Sequence, residues 1–402
     1  MNILTSIVAV AFWTCAALVV YAYLGYPLVI WWLARWFGRP VEPPPPLGEE
    51  RDLPTVSLVI AAYNEEAVIE ERLHNALATD YPPGKFEVVV GSDGSTDRTP
   101  ALVRGFADRR VRLLDYAQRR GKAAVLNAAM AEVRGEIVVL SDANTAIDPN
   151  AVRHLVRWFQ DPAVGAVCGR LVLTDPRTGR NVDSLYWKYE TFLKQCEGHL
   201  GALLGANGAI YAIRRALYTP IPEETIVDDF VIPLLAKART GCAIIYECGA
   251  IAREETPPDL GSEFHRRSRI GAGGFQSIGM LWRLLDPRRG WVAFTFLSHK
   301  ILRWLCPFFL LGLLASNLLL VLLRGWPLDW YALYGQLGFY LASLLAALVP
   351  GRLGPLKPLR LAALFTSMNT ALLVGFWRWL RGSQQGTWRR TARVVGADGV
   401  AR

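Results

Sequence analysis

Charge is missing from the start of this 402-residue chain: no Asp, Glu, Lys or Arg occurs in residues 1–34. A bilayer span needs about 20 apolar residues, so this stretch is long enough to cross, with a tilt or with a kink at Pro27. A cleaved secretory signal would put Lys or Arg before a shorter apolar core and small residues after it, and neither is present. The expectation is a retained anchor, with Arg35 and Arg39 holding its downstream end in the cytoplasm. Cysteine is scarce. The six residues Cys15, Cys168, Cys196, Cys242, Cys248 and Cys306 form no CxxC and no ladder with His, which excludes a zinc finger or a disulfide framework and fits free thiols in a reducing compartment. The five histidines make no metal-type pair. Gly121-Lys122 lacks the upstream Gly and following Ser/Thr of a phosphate-binding Walker loop, and no GxSxG elbow occurs. With no DNA-reading motif either, the net charge of +9 points to a membrane surface and not to nucleic acid.

What the chain has in excess is apolar residues: 52% hydrophobic, 14 Trp and a mean hydropathy of +0.22. The excess sits at the two ends. Three late stretches, 304–323, 330–349 and 361–380, each approach the length of a span, separated by Arg324 with Pro327 and then by Arg352, Lys357 and Arg360. One anchor plus three spans would leave the tail outside, yet the tail carries Arg381, Arg389, Arg390 and Arg393. Either one late segment is re-entrant or interfacial, or the positive-inside rule fails at the last helix. Ahead of these spans, Arg283, Arg288, Arg289, Lys300 and Arg303 alternate with Trp291 and Trp304, the pattern of helices lying at an anionic interface. The expected division is an anchor at 1–37, a Pro-rich linker at 38–53, a catalytic domain at 54–255, interfacial helices at 256–303, membrane segments at 304–381 and a basic tail at 382–402.

The middle reads as alternating elements. Apolar runs at 56–61, 86–90, 111–114 and 136–140 predict strands, and residues 67–77, a segment through Leu102 and Phe106, and 121–133 predict helices. Such alternation implies an α/β fold with a mostly parallel sheet covered on both faces, whose ligands collect at the carboxyl ends of the strands. Three strands end in polar, acid-bearing segments: Tyr63-Asn64-Glu65-Glu66, Ser92 to Asp97, and Asp142-Ala143-Asn144. Each alone could be turn and cap chemistry; three at one edge suggest a site. Asp142 and Asn144 can present oxygens to one hard cation that in turn binds phosphate, and Lys122 can add a point charge for the same phosphates. Farther on, Asp228-Asp229 stands where a helix should start. Adjacent carboxylates raise one another's pKa, which suits a general base, although acids also complement a helix N-terminus. The arginines of Phe264 to Ile270 either face a membrane surface or reach a diphosphate.

The order of these motifs resembles family 2 glycosyltransferases, and among them the membrane synthases of cellulose, hyaluronan, chitin oligosaccharides and poly-N-acetylglucosamine. The similarity covers about residues 56–276, with membrane-length flanks that match the synthase layout. The resemblance implies a GT-A fold and an inverting, single-displacement transfer from a UDP-sugar, UDP-GlcNAc or UDP-Glc, to build a β-linked polysaccharide. It implies that Tyr63, Glu65 and Asp93 hold the uridine beside Lys122, that Asp142 and Asn144 bind Mg2+ or Mn2+ as a DxD motif, and that Asp229 is the base with Asp228 beside it. By the same resemblance Asn207 and Gly208 shape the acceptor site, and Arg266 and Arg269 match the ends of a QxxRW-like motif. It also implies a lipid bilayer and accessory export or assembly subunits as partners, with the catalytic domain cytoplasmic at the cell membrane. Two departures stand out: Asn144 replaces the second acid of DxD, and the last motif lacks its Gln and its Trp. The second departure favours an alternative, transfer of one or a few sugars to a lipid-linked acceptor. An inactive membrane scaffold is a third reading, opposed by the joint presence of Asp93, Asp142 and Asp229.

Overall fold

In the computed structural model, which describes residues 2–175, 185–255, 260–348, 357–384 and 386, the apolar runs of the middle become strands and the charge-free ends become long helices. Along the chain come α1 (Ile3–Val20), α2 (Tyr26–Phe37), β1 (Val56–Ala62), α3 (Ile69–Leu77), β2 (Phe86–Asp93) and α4 (Thr99–Gly105). There follow β3 (Val111–Tyr116), α5 (Lys122–Glu132), β4 (Ile137–Asp142), β5 (Ala146–Ile147), α6 (Ala151–Val156), β6 (Val164–Thr174) and α7 (Leu185–His199). The rest is β7 (Tyr211–Arg214), α8 (Asp228–Thr240), β8 (Ala243–Glu255), α9 (Leu260–Leu281), α10 (Trp291–Thr295), α11 (Leu302–Leu323), α12 (Pro327–Leu348) and α13 (Lys357–Leu380). Two units emerge, one built on the sheet (Ile30–Ser262 with Gln276–Thr295) and one of helices (Met1–Val29, Glu263–Phe275 and Phe296–Gln384).

The sheet has eight strands in the order β3-β2-β1-β4-β7-β6-β8-β5. β3, β2, β1 and β4 run parallel, and β7 then turns the direction, antiparallel to both β4 and β6. Every residue of β1 is buried, as expected of a central parallel strand with helices on both faces. The sequence-based strands end at 90 and 140, yet pairing carries β2 to Asp93 and β4 to Asp142. Ser92 still pairs with Ala62, Asp93 with Tyr116, and Asp142 with Ala61. Both carboxylates are therefore fixed by the ladder itself, at one edge of the sheet.

In the helical unit, α1 packs along α11, and α12 against α13. A kink at Pro27 is replaced by a π-helical turn at Tyr21–Gly25, where the Tyr26 N–H reaches back to Tyr21 O. Proline has no N–H and its ring crowds the carbonyl four residues earlier, and one widened turn just ahead relieves this without a break. Among the described residues, four helical stretches are long and apolar enough to cross a membrane: Ile3–Phe37, Trp291–Leu323, Pro327–Leu348 and Leu359–Leu380. The late ones start before the sequence-based limits, the first by 13 residues because helix continues from Trp291. Residue 349, Arg352 and the tail arginines Arg389, Arg390 and Arg393 lie outside the described residues.

Candidate active site

Four side chains from three distant segments meet at the edge where β4 ends. Lys122, the first residue of α5, places its Nζ 2.7 Å from Asp142 Oδ1 and 3.2 Å from Asp228 Oδ2. The second distance is an ion pair and not a hydrogen bond, so the buried Asp228 Oδ2 has no hydrogen-bond donor. Asp229 follows on the first turn of α8, its Oδ1 accepting from the Phe230 N–H at 3.0 Å. Burial, and after it the Asp228 charge, pushes the Asp229 carboxyl up to about 6 against the opposing pull of Lys122. Burial disfavours the Lys122 charge, but the Asp142, Asp228 and Asp229 carboxylates outweigh it and hold the ammonium well above its ordinary range. Three carboxylates facing one ammonium leave negative charge uncompensated.

The backbone that sets this geometry is specific. Gly121 sits at φ +98°, a conformation that favours glycine, and both it and Arg120 donate their N–H groups to the fully buried Asp93 carboxylate, at 3.0 and 2.7 Å. Asp93 thus fixes the entry to α5 and hence the start of the Lys122 side chain. Behind β4, the buried Arg72 donates to Ser141 Oγ and to Asp142 O, and burial lowers its pKa to about 10. In front, Gly208 O accepts the Asp142 N–H, and a Cβ at Gly208 would stand only 2.8 Å from Asp142 Oδ2. Glycine there keeps that face of the carboxylate open. One residue earlier Asn207 Nδ2 donates to Gly169 O at 2.8 Å, and Ala206 N–H donates to Asp229 O at 3.1 Å, so one short segment is tied to both acids.

The other sequence candidates are placed as follows. Asn144 is exposed two residues past Asp142. Glu65 is buried, with its N–H donating to Thr99 Oγ1 at 2.8 Å. Tyr63 is half-buried, and the Arg119 guanidinium lies 3.7 Å above its ring, a cation–π contact. Arg266 and Arg269 lie on α9 in the helical unit, where Arg266 pairs with Glu263 at 3.7 Å. Among the described residues no three His, Cys, Asp or Glu form a complete cation cage. Sequence reasoning missed Arg119 and Arg72. The Arg119-Arg120 pair ahead of Gly121 was the available signal for the first; nothing local marked the second.

The profile of glycosyl transferase family 2 matches residues 57–218, from β1 through Gly208 to β7. This is a family 2 glycosyltransferase domain. Its sheet is the GT-A, Rossmann-like arrangement, and the enzyme class is hexosyl transfer from nucleotide sugars. The chain is 28% identical over 326 residues to the β-monoglucosyldiacylglycerol synthase of Synechocystis, covering 76% of this chain and 67% of the relative. It is 28% identical over 240 residues to the poly-β-1,6-N-acetyl-D-glucosamine synthase of Staphylococcus aureus, covering 56% of each. The chain thus spans little more than half the length of the latter relative. Among solved structures, the mannosyltransferase PcManGT from Pyrobaculum calidifontis, in complex with GDP-Man and Mn2+, superposes with a TM-score of 0.68 at 25% identity. That match covers 92% of this chain and 99% of the mannosyltransferase, so the likeness of the glycosyltransferase extends beyond the catalytic sheet.

Proposed function

We propose that this glycosyltransferase is anchored in a membrane and transfers one hexose from a nucleotide diphosphate, with inversion, to a lipid-anchored acceptor. The observation that carries the reading is the convergence of Asp142, Lys122, Asp228 and Asp229 at the carboxyl edge of the sheet. Asp229 takes the proton of the acceptor hydroxyl while that oxygen bonds to the sugar's anomeric carbon. The bond from that carbon to the diphosphate breaks, and the nucleoside diphosphate leaves with the electron pair. Asp228 Oδ2, without a hydrogen-bond donor, orients the acceptor hydroxyl, with Asn207 and Gly208 beside it. Lys122 turns from the carboxylates to the diphosphate. Tyr63, Glu65 and the loop held by Asp93 take the nucleoside.

The uncompensated negative charge and the open face of Asp142 fit a divalent cation, Mg2+ or Mn2+. Asp142 and Asn144 would hold it, the remaining ligands coming from donor phosphate and water, and when bound it supplies Lewis-acid stabilisation of the departing diphosphate. The lipid acceptor is supported by the larger share of the chain that aligns with the glucosyldiacylglycerol synthase, and by Ile270 standing where the long-chain synthases carry Trp. Polymer synthesis is the second reading, favoured by the likeness to the poly-N-acetylglucosamine synthase; accessory subunits would belong to it. A screen of radiolabelled UDP-Glc, UDP-GlcNAc and GDP-Man with purified enzyme and membrane lipid decides between them. Label moving into a single organic-extractable glycolipid is the expected result; label retained as a size ladder would support the polymer, and no transfer from any donor would reject both.

The sheet unit faces the cytoplasm in this reading, since nucleotide sugars are made there and Arg35 and Arg39 close the anchor. Cys248 on β8 is a built-in reporter, because it is free and exposed, whereas Cys168, Cys196 and Cys242 of the same unit are buried. An impermeant maleimide should label Cys248 in inverted vesicles and leave it unmodified in intact cells. Labelling in intact cells would reverse the orientation.

A further inference from the structure

Tyr211 opens β7, directly opposite Leu140 of β4 on one side and Cys168 of β6 on the other. Opposed residues share a face of a sheet, and so do residues two apart along a strand. The Tyr211 ring therefore lies on the face that carries the Asp142 side chain. It is buried, at 1% exposure, yet its hydroxyl has no hydrogen-bond partner among the described residues. A buried hydroxyl without a partner is costly to a resting protein, and in a native fold it calls for an explanation. Burial, and after it the Asp228 charge, pushes the Tyr211 phenol well above its ordinary range, with Asp229, Tyr218 and Asp142 acting in the same direction. The hydroxyl is thus a protonated donor that feels both carboxylates of the pair and is bonded to neither.

Asp228 has the matching defect. It is buried, and its Oδ2 has no hydrogen-bond donor, only the Lys122 ammonium as an ion pair at 3.2 Å. In the proposed transfer that ammonium turns to the diphosphate, and a buried carboxylate that loses its cation is costly unless a donor replaces it. Tyr218 also feels the Asp228 charge, but its hydroxyl is committed, donating to Asn127 Oδ1 at 2.7 Å. The Tyr211 hydroxyl is not committed. A carboxylate oxygen accepts from two donors, so a phenol on one side of Oδ2 leaves room for the acceptor on the other. We propose that Tyr211 is a positioning residue for glycosyl transfer: its hydroxyl donates to Asp228 Oδ2 when Lys122 leaves for the diphosphate, and so holds Asp228 aimed at the acceptor. The inference rests on the transfer reading above and on its assignment of Lys122. The unpaired donor and the unpaired acceptor of the resting site are then two halves of one bond, made only when the nucleotide is bound.

Tyr211→Phe, made in the full chain in detergent, deletes the hydroxyl and keeps the ring. The apparent KM for membrane lipid should rise about tenfold or more, the usual effect of losing a hydrogen bond to a charged group. The melting temperature without ligand should equal or exceed the parent's, because at rest the hydroxyl has no partner to lose. A tyrosine of merely structural value would lower it. A double-mutant cycle ties the effect to its partner. Beside Asp228→Ala, which offers no acceptor, Tyr211→Phe should add almost nothing; beside Asp228→Asn, a neutral and weaker acceptor, it should add a reduced loss. A binding arm needs no turnover: UDP and GDP, each with Mn2+, are titrated calorimetrically into the same proteins. The nucleotide that binds the parent should bind Tyr211→Phe about threefold or more weakly, and should bind Asp228→Ala and its double variant alike. An unchanged acceptor KM overturns the proposal, as does a resting melting temperature several degrees lower, or a Tyr211→Phe loss as large beside Asp228→Ala as in the parent. Should Asp228→Ala fail to fold, Asp228→Asn completes the cycle. If the parent binds a nucleotide but moves no sugar, the transfer reading fails and the binding arm alone judges Tyr211; if it binds neither nucleotide, both fall.

Discussion

Asp229→Asn should lower turnover by about 10²- to 10⁴-fold, the usual contribution of a positioned carboxylate base, while the nucleotide donor binds about as well as to the parent. Asparagine keeps the size of the side chain and can still accept from the Phe230 N–H, but it cannot take the acceptor's proton. The choice of Asp229 over Asp228 follows from electrostatics. Burial and the neighbouring charge bring Asp229 up to about 6, where a carboxylate is a stronger base yet still ionised at neutral pH. The sign of the pH dependence is then fixed. Below about 6 Asp229 is protonated and inactive as a base, so kcat/KM should fall as pH drops through that value and level off above it. Asp228→Asn should cost less and act mainly on acceptor KM. If Asp228→Asn abolished turnover and Asp229→Asn did not, the two roles would be reversed.

Asp142→Asn should be comparably severe, by a different route. Its carboxylate holds one side of Lys122 at 2.7 Å and is the acid proposed to carry the divalent cation. Loss of a group that stabilises the leaving charge typically costs about 10²- to 10³-fold in kcat. Here the Mn2+ dependence of donor binding should vanish as well, and EDTA should silence the parent enzyme. Full activity of the parent in EDTA would remove the metal from the mechanism while leaving Asp142 as the partner of Lys122.

Much of this site was legible because strand ends and helix starts carry local signals. Asp228-Asp229 predicted a helix start and α8 begins at Asp228; Gly121-Lys122 opens α5. What local patterns could not supply was the meeting of residues 20 and 106 positions apart, since the pairing of Lys122 with Asp142 and with Asp228 depends on sheet order. Arg72 was invisible for the same reason: in the sequence it is one basic residue on a mixed helix, and only the fold sets it behind Ser141 and Asp142. The alternation also fails after Leu140, because β6 and β8 are long strands paired parallel with register shifts, and β6 meets β4 only through the antiparallel β7. Their polar residues obey no single period. The cation over Tyr63 depends on loop geometry near Arg119, which composition does not encode.

The central claim is a division of labour within one cluster, with Asp142 serving cation and diphosphate and Asp229 serving the acceptor proton. The most direct measurement is calorimetric titration of the nucleoside diphosphate with Mn2+ into the parent, Asp142→Asn and Asp229→Asn, paired with single-turnover transfer on the same preparations. The expected result is a crossed pattern: Asp142→Asn loses Mn2+-dependent binding, whereas Asp229→Asn binds like the parent and transfers nothing measurable. Equal loss of binding in both variants, or normal transfer by Asp229→Asn, would contradict it.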